Sequence, residues 1–487
     1  MFSQKTTAAI VCAWMALSGS TPSDAEAKSP PNIVMVYVDD AGYADFPFFN
    51  DGHPRTPHID QLCREGIRFT QFYVNAPICS PSRVAITTGQ FPARWDVTTF
   101  IASRQENASR GIRDWLDPTA PSLARMLKSS GYATGHFGKW HLGGGRDVGE
   151  APLISEYGFD ASLTQFEGLG DRILPLLNDF DGSRPRRMRL GRASAQLGRG
   201  EVEWVDRSKQ TQRYVRRTIE FIQDADKRGK PFYVNVWPDD VHTPLHPPKK
   251  LRGDGSKREL YLGVLENMDR HLAELFEFIR DDESLRDNTL ILIASDNGFE
   301  AGAGAAGDLR GSKGALYEGG IRVPFIVWGP GVLESHAAGT TNDATVLSSV
   351  DVVKSLLEVT GAKQPQGVAL DGEDLSESLL GRETQVRTAP LYWNRPPDRP
   401  GPPEAKLPDL AIREGHWKLL VEFDGTGPQL FDVKADPAES VNLADDHAKV
   451  VESLRSKVLA WHSDVTRSSA RMTTSLITKP NPDEARP

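Results

Sequence analysis

The fold of this chain is governed by a repeated order of amphipathic helix and unbroken apolar run. Residues 32–38 (NIVMVYV) are apolar and rich in β-branched side chains, without the alternation of a half-exposed strand. Such a run is typical of a strand buried on both faces of a parallel sheet. Runs at 132–137, 231–237 and 289–294 each follow a segment with apolar residues at helical spacing. This order predicts an α/β layered domain with a largely parallel central sheet.

Polar side chains follow each of these four predicted strands. In open α/β sheets, ligands bind beyond the carboxyl ends of the strands. One such loop alone is explained by solvation, but charged or metal-capable groups after all four strands favour a common site. These groups are Asp39 and Asp40, Lys139 with His141, His242, and Asp296 with Asn297.

A second region begins where the helical and strand periodicity lapses, near residues 361–390. Short strands predicted at 391–393, 410–412, 417–421 and 429–431 suggest a smaller C-terminal domain with an antiparallel sheet. An apolar stripe at helical spacing then predicts a closing helix. The predicted organisation is a signal peptide (1–27), a catalytic domain (28–385), a C-terminal α+β subdomain (386–467) and a disordered tail (468–487).

The N-terminus has the order of an export signal. Lys5 precedes a short apolar stretch at 8–17, and Ala25-Glu26-Ala27 offers a small-x-small cleavage pattern. We therefore predict an exported protein, periplasmic or secreted, and no membrane span, because no later segment has about 18 continuous apolar residues. The mild formal charge of −9 argues against a nucleic-acid partner.

Four oxygen-bearing residues after two of the strands suit a hard cation. Three carboxylates and an amide favour Ca²⁺ or Mg²⁺ over a soft metal, and we predict Ca²⁺ with Mg²⁺ as the alternative. The residues are Asp39, Asp40, Asp296 and Asn297.

Removal of the signal peptide leaves two cysteines, Cys63 and Cys79. Cys63 lies at helical spacing with apolar neighbours and is predicted to be a core residue. Cys79 stands in Cys79-Ser80-Pro81-Ser82-Arg83, which resembles the signature of the type I sulfatases. In that family the cysteine of C-x-P-S-R is oxidised to formylglycine. Further blocks resemble the family in its order: 137–143, 242–244, 295–298, and 311–314 with 322–324.

The resemblance implies an alkaline-phosphatase-like fold and hydrolysis of sulfate esters. The predicted export favours sulfated carbohydrates as the substrates. It also implies a formylglycine-generating or equivalent maturation enzyme as a partner. One hydroxyl of the hydrated aldehyde would attack sulfur as the sugar or aryl alcohol leaves. Loss of a proton from the other hydroxyl would then expel sulfate and restore the aldehyde. By the family pattern, the metal ligands are Asp39, Asp40, Asp296, Asn297 and the group made from Cys79.

The same pattern assigns the catalytic groups besides Cys79. Arg83 would activate the nucleophile, and Lys139 and Lys313 would hold the sulfate oxygens. His141 would help deprotonate the hydrate, and His242 would assist the leaving oxygen.

Two other functions remain open from the sequence. A phosphodiesterase or phosphonate monoester hydrolase would use the same nucleophile and metal, and an inactive homologue would only bind sulfated glycans. Loop residues that could line a sugar pocket, without an assigned role, are Trp95, Thr98, Thr99, Arg104, Trp115, Glu167 and Arg172.

Overall fold

A computed structural model describes residues 29–49, 55–177, 185–399, 401 and 406–477, and for 468–477 it describes only the helical backbone. The predicted signal peptide lies outside the described residues. Among the helices described, none is long and apolar enough to cross a membrane.

The larger sheet has twelve strands in the described part of the chain, arranged mostly in parallel. They are β1 (Asn32–Val38), β2 (Ile67–Tyr73), β3 (Ala133–Gly138), β4 (Ala161–Thr164), β5 (Arg172–Leu177), β6 (Arg186–Arg187), β7 (Val202–Asp206), β8 (Phe232–Trp237), β9 (Thr289–Ser295), β10 (Arg322–Trp328), β11 (Thr340–Asn342) and β12 (Leu347–Ser348).

The helices vary widely in length, and the longest ones are amphipathic. They are α1 (Pro57–Glu65), α2 (Cys79–Thr88), α3 (Arg104–Arg110), α4 (Leu123–Ser129), α5 (Arg189–Gln196), α6 (Gln210–Lys227), α7 (Lys257–Asp281), α8 (Glu283–Arg286), α9 (Glu318–Ile321), α10 (Ser349–Thr360), α11 (Ser376–Leu379) and α12 (Ala448–Ile477).

Strand β1 lies near the middle of the large sheet, which confirms the predicted α/β architecture. It pairs in parallel with β9 on one side and β8 on the other, and β8 pairs in parallel with β3. Ile33, Met35 and Tyr37 enter the core shared with α2, α4 and α10. The alternate residues of β1 enter the opposite core, with α1, α6 and α7. Burial on both faces explains why this strand is apolar without alternation.

A four-stranded antiparallel sheet follows, as the C-terminal pattern predicts. Its strands are β13 (Leu391–Asn394), β14 (Leu410–Glu414), β15 (Trp417–Val421) and β16 (Gln429–Asp432). One face packs on α12, while side chains such as Trp393 and Phe431 join the core of the large sheet. The two sheets are therefore joined by shared apolar packing.

The closing helix differs from the prediction at its end. Helix α12 continues to Ile477, ten residues into the segment predicted to be disordered. Residues 468–477 (SSARMTTSLI) contain neither glycine nor proline, so no residue there breaks the helix. Residues 478–487 lie outside the described residues.

A buried charge cluster ties the small sheet to the segment that leads into β10. The Lys418 ammonium on β15 lies 2.9 Å from Glu318 and 2.9 Å from Glu439, and all three side chains are fully buried. Burial acts to raise the pKa of Glu318, but Lys418 and nearby arginines lower it to about 2. The carboxylate charge on Glu318 therefore depends on its cationic neighbours.

Replacing Lys418 with methionine is expected to lower the free energy of unfolding by about 3–5 kcal/mol, because buried carboxylates lose their counter-charge. Denaturant unfolding would measure this loss. The matched control is Lys457→Met, which breaks an exposed pair with Glu414 and is expected to cost less than about 1 kcal/mol. Equal effects of the two changes would contradict a stabilising role for the buried cluster.

Candidate active site

The side chains predicted to form one site do lie together, at the carboxyl ends of four neighbouring strands. Asp39 and Asp40 follow β1, and Asp296 and Asn297 follow β9, which is paired with β1. The strands β8 and β3, which precede the other predicted groups, continue the same sheet from β1. Because parallel strands end at one edge, loops distant in sequence meet there.

A cluster of carboxylates forms the centre of the site. Asp39, Asp40 and Asp296 are fully buried, and each offers an oxygen within 4.8 Å of the others. The backbone at Asp40 takes the left-handed conformation, with φ 61°, which is uncommon for a residue other than glycine. This turn lets two consecutive aspartates contribute to one cluster.

The amide of Asn297 completes the cluster in a specific orientation. Its Nδ2 donates a hydrogen bond of 2.7 Å to Asp40 Oδ1. Its buried Oδ1, like Asp39 Oδ1, has no hydrogen-bond donor in the described part of the chain. Buried oxygens without donors, beside three carboxylates, fit the ligand set of a hard divalent cation.

Three basic side chains surround these carboxylates. Lys139 Nζ lies 2.7 Å from Asp39 Oδ2, and Lys313 Nζ lies 2.6 Å from Asp40 Oδ2. The guanidinium of Arg83 donates to Asp296 Oδ2 at 2.7 and 3.1 Å and to the Lys139 carbonyl at 2.9 Å. Arg83 therefore links the helix of Cys79 to the loops after β9 and β3.

The proximity of these charges shifts the aspartate pKa values in opposite directions. Burial acts to raise the pKa of Asp39, but the nearby cations, led by Lys139, hold it well below its ordinary value. Burial, together with the negative charge of Asp39, raises the pKa of Asp296 to about 7. A bound divalent cation would offset this repulsion between carboxylates.

Cys79 is the first residue of α2, whose ten residues are all buried. Proline at position 81 suits the first turn of a helix. The Cys79 side chain lies at the helix start, where backbone N–H groups favour anions. Burial raises the pKa of the Cys79 thiol to about 11, while Lys139 and Lys313 act in the opposite direction. The unmodified thiol therefore stays protonated at neutral pH.

His141 makes one hydrogen bond and has one carboxylate close to its other ring nitrogen. Its Nε2 lies 3.0 Å from the Ile101 carbonyl oxygen, and its Nδ1 lies 3.3 Å from Glu167 Oε2. The residue also has a left-handed backbone, with φ 56°. Burial acts to raise the pKa of Glu167, but His141, Lys139 and Arg146 lower it overall. Glu167 is thus the charged partner of His141, a role that the sequence did not assign.

His242 lies on the loop after β8, with about a third of its side chain exposed. Its Nδ1 donates a 2.7 Å hydrogen bond to the Thr243 carbonyl oxygen. That bond directs Nε2 toward Asp40, whose Oδ2 is 3.8 Å away. The side chain is therefore oriented by its own loop, with one ring nitrogen facing the carboxylate cluster.

A cleft of about 380 Å³ opens over these groups, and its lining includes Cys79, His141, His242 and Lys313. Of the seven loop residues considered for a sugar pocket, only Glu167 lines it. Arg172 instead lines a separate cavity beside α6. Cleft residues that sequence reasoning missed include Phe100, Arg146, Glu300 and Arg399. These residues come from separate loops and belong to no pattern in the sequence.

Comparisons with known proteins identify the family of this chain. A model of the sulfatase family matches residues 31–362, and one described as N-sulphoglucosamine sulphohydrolase, C-terminal, matches residues 312–464. Arylsulfatase A from Bos taurus is 31% identical over 467 residues, covering 86% of this chain and 84% of that protein. N-acetylgalactosamine-6-O-sulfatase from Bacteroides thetaiotaomicron is 26% identical over 496 residues, covering 87% and 91%.

A solved structure gives the same result. The complex of Ps i-CgsB with k-i-k-neocarrahexaose matches with a TM-score of 0.74 and 25% identity, covering 91% of this chain and 94% of that one. The chain therefore belongs to the sulfatase family, with the alkaline-phosphatase-like fold. The protein is a sulfuric ester hydrolase, and its relatives include sulfatases of carbohydrate substrates.

Proposed function

We propose that this protein hydrolyses sulfate esters of carbohydrates, using formylglycine made from Cys79 and a divalent cation, Ca²⁺ or alternatively Mg²⁺. The observation that carries the proposal is the position of Cys79. It begins a buried helix and lines the same cleft as Lys313, His141 and His242, beside a cluster of three carboxylates. Relatives named for sulfated sugars support the carbohydrate class.

The proposed cation ligands are Asp39, Asp40, Asp296, Asn297 and the group made from Cys79. The donor set of carboxylate and amide oxygens supports a hard cation. When bound, such a cation would stabilise negative charge on sulfate and favour the ionised nucleophile. Arg83 holds Asp296 by two hydrogen bonds, so it fixes one ligand and the helix of the nucleophile together.

Lys139 and Lys313 are proposed to hold the sulfate oxygens. In the structure their ammonium groups contact Asp39 and Asp40 from two different loops. A sulfate in the cleft would meet a point charge from each of these loops. Charge that develops on the sulfate oxygens during S–O cleavage would then be stabilised by groups already in place.

His141 is the proposed base for the formylglycine hydrate, whose two hydroxyls supply the nucleophile and the group that later releases sulfate. The hydrogen bond of His141 to the Ile101 carbonyl orients its ring, and the Glu167 carboxylate lies beside Nδ1. Burial lowers the pKa of His141 to about 3, and the Glu167 carboxylate acts in the opposite direction. Glu167 is therefore proposed to position His141 and to support its acceptance of a proton.

The chemistry of Cys79 can be tested directly. We expect the protein made in a host with a converting system to carry an aldehyde at position 79. Mass spectrometry of the tryptic peptide of residues 69–83 would detect it. Fully active protein that contains only cysteine at this position would contradict the proposed nucleophile.

The substrate class requires a screen of the converted protein. Sulfated sugars, an aryl sulfate and a phosphate diester would be compared at equal concentration. We expect the sulfate esters to be the better substrates. Preference for the phosphate diester would favour the phosphodiesterase alternative, and binding of sulfated sugars without turnover would favour an inactive binding protein.

His242 is the proposed general acid for the departing alcohol, directly or alongside Lys313. His242→Ala is expected to lower turnover of a sugar sulfate by about 10² to 10⁴-fold, and that of an activated aryl sulfate clearly less. A sugar alcohol is a poor leaving group and needs a proton as the S–O bond breaks, whereas a nitrophenolate does not. Steady-state kinetics on both substrates would measure the difference.

Two variants serve as controls for His242. Lys139→Ala removes charge next to the sulfate itself and should slow both substrates about equally. His336→Ala alters a histidine outside the cleft and should change neither rate. Equal losses on both substrates for His242→Ala would show that it positions sulfate, and Lys313 would become the candidate acid.

Export, by the signal peptide at 1–27, and maturation by a formylglycine-generating enzyme are part of the same proposal. The proposal also divides the chain into a catalytic domain of residues 28–385 and a C-terminal subdomain of residues 386–467. The packing of α12 on the small sheet supports treating the latter as a unit. Detection of the processed N-terminus in the periplasm or medium would test export.

A further inference from the structure

One wall of the catalytic cleft carries arginines around a single aromatic ring. The guanidinium carbons of Arg110, Arg399 and Arg146 lie 4.2, 5.7 and 6.0 Å from the centre of the Phe100 ring. Phe100, Arg146 and Arg399 line the cleft together with Cys79. The ring therefore holds two guanidinium groups in the cleft by cation–π contact.

In the described part of the chain, these two arginines have few carboxylates nearby. Arg399 has no carboxylate within 4.0 Å in the part of the chain that the structure describes. Arg146 reaches only Glu167, at 3.7 Å, and its buried Nε has no hydrogen-bond partner among the described residues. By contrast, Arg110 lies 3.3 Å from Asp398 and 3.7 Å from Glu106. The charges on Arg146 and Arg399 are therefore available to a ligand.

The nearby acidic groups are already engaged. The carboxylate of Glu167 lies 3.3 Å from His141 and 3.8 Å from Lys139. Glu300, which also lines the cleft, lies 2.8 Å from Lys257. The wall at Phe100 thus keeps a local excess of positive charge.

This positive wall is distinct from the groups proposed for the reacting sulfate. Lys139, Lys313 and Arg83 contact the carboxylate cluster at 2.6 to 2.7 Å. Arg146 and Arg399 make no such contact in the described structure. A sugar with a single sulfate would bind the basic groups around the carboxylate cluster. It would offer no second anionic group to Arg146 and Arg399.

We propose that Arg146 and Arg399, held by Phe100, form a second anion-binding subsite that selects substrates carrying another sulfate or a carboxylate near the cleaved ester. This inference rests on the proposed sulfatase function and names its substrate class as polyanionic glycans. A planar guanidinium matches both sulfate and carboxylate oxygens through paired N–H donors. The subsite strengthens substrate binding and positions the neighbouring charged group. It takes no part in cleavage of the S–O bond.

Binding can be measured without turnover, using the full-length Cys79→Ala protein with Ca²⁺. Calorimetry would compare N-acetylgalactosamine 6-sulfate, the same sugar with a second sulfate, and a disaccharide that joins a uronic acid to it. We expect at least one doubly charged ligand to bind about tenfold or more tightly than the singly charged one. Which of the two does so identifies sulfate or carboxylate as the preferred group.

The double variant Arg146→Gln/Arg399→Gln should lose this preference. Its affinity for the doubly charged ligand should fall by a factor at least about ten times larger than its affinity for the singly charged ligand. Lysine at both positions should restore part of it, because charge remains. Arg213→Gln/Arg217→Gln, which alters exposed, paired arginines outside the cleft, should keep the full preference. Circular dichroism would verify that each variant folds.

Equal affinity for all three ligands, or a preference that survives in the Arg146→Gln/Arg399→Gln protein, would overturn the subsite. Failure of the proposed function is seen separately. In that case converted wild-type protein would not hydrolyse an aryl sulfate, while the charge preference in binding would remain.

Discussion

Cys79→Ala is expected to lower turnover of every sulfate ester by about 10⁶-fold, the scale seen when an enzyme loses its nucleophile. The cleft would keep its lysines and histidines but would have no group to attack sulfur. The helix itself should persist, because alanine is a good helix former. Single-turnover assays on an aryl sulfate would measure the residual rate, and thermal unfolding would verify the fold.

The matched control is the other mature cysteine. Cys63 lies on α1, in the core on the opposite face of the large sheet. Cys63→Ala should retain the rate of the parent protein, with at most a modest loss of stability. Comparable activity in the Cys79→Ala protein would show that another residue attacks sulfur.

Asp296→Ala is expected to weaken binding of the proposed divalent cation and to lower turnover by about 10⁴-fold. Asp296 supplies one of the three clustered carboxylates and receives both hydrogen bonds from Arg83. Its loss would therefore remove two hydrogen bonds of Arg83 as well as weaken cation binding. Because the nucleophile depends on that charge, the loss should appear mainly in turnover.

Elemental analysis of the purified proteins would measure bound metal. We expect one equivalent of calcium or magnesium in the parent protein and a marked reduction in the Asp296→Ala variant. Asp60→Asn, a buried carboxylate on α1 outside the cluster, should keep both metal and activity. Stoichiometric zinc in the parent protein, or full activity of the Asp296→Ala variant, would contradict the proposed site.

The centre of the fold could be predicted because buried parallel strands have a strong local signature. Residues 32–38 form β1 as predicted, and β3, β8 and β9 begin or end within one residue of their predicted bounds. The geometry of a parallel sheet then predicts that the polar residues after these strands lie close together. Most of the proposed chemistry lies at this edge, so most of the candidate site could be located from sequence.

Antiparallel strand β10, which was not predicted from the sequence, contains a proline, a residue that usually argues against a central strand. Pro324 lies where the pairing of β10 with β2 shifts register between Val323 and Phe325. At such an irregularity the missing N–H does not interrupt a regular ladder. The irregular pairing of β10 with β2 thus allows a proline that local strand preference argues against.

The cleft wall could not be predicted because its members share no local pattern. Phe100, Arg146 and Arg399 come from three loops, and their meeting depends on how the large sheet and the C-terminal region pack. Glu167 was considered only as a loop residue, since nothing in its sequence neighbours points to His141. Substrate-selective contacts are therefore the part of this site that requires three-dimensional structure.

The burial of α2 also bears on when the proposed oxidation of Cys79 could occur. Every residue from Cys79 to Thr88 is buried, and the Cys79 side chain is 3% exposed in the folded chain. A modifying enzyme must hold a peptide segment in its own active site, and the native protein does not offer this one. If Cys79 is converted as proposed, we therefore expect the oxidation on the newly made chain, before α2 is buried.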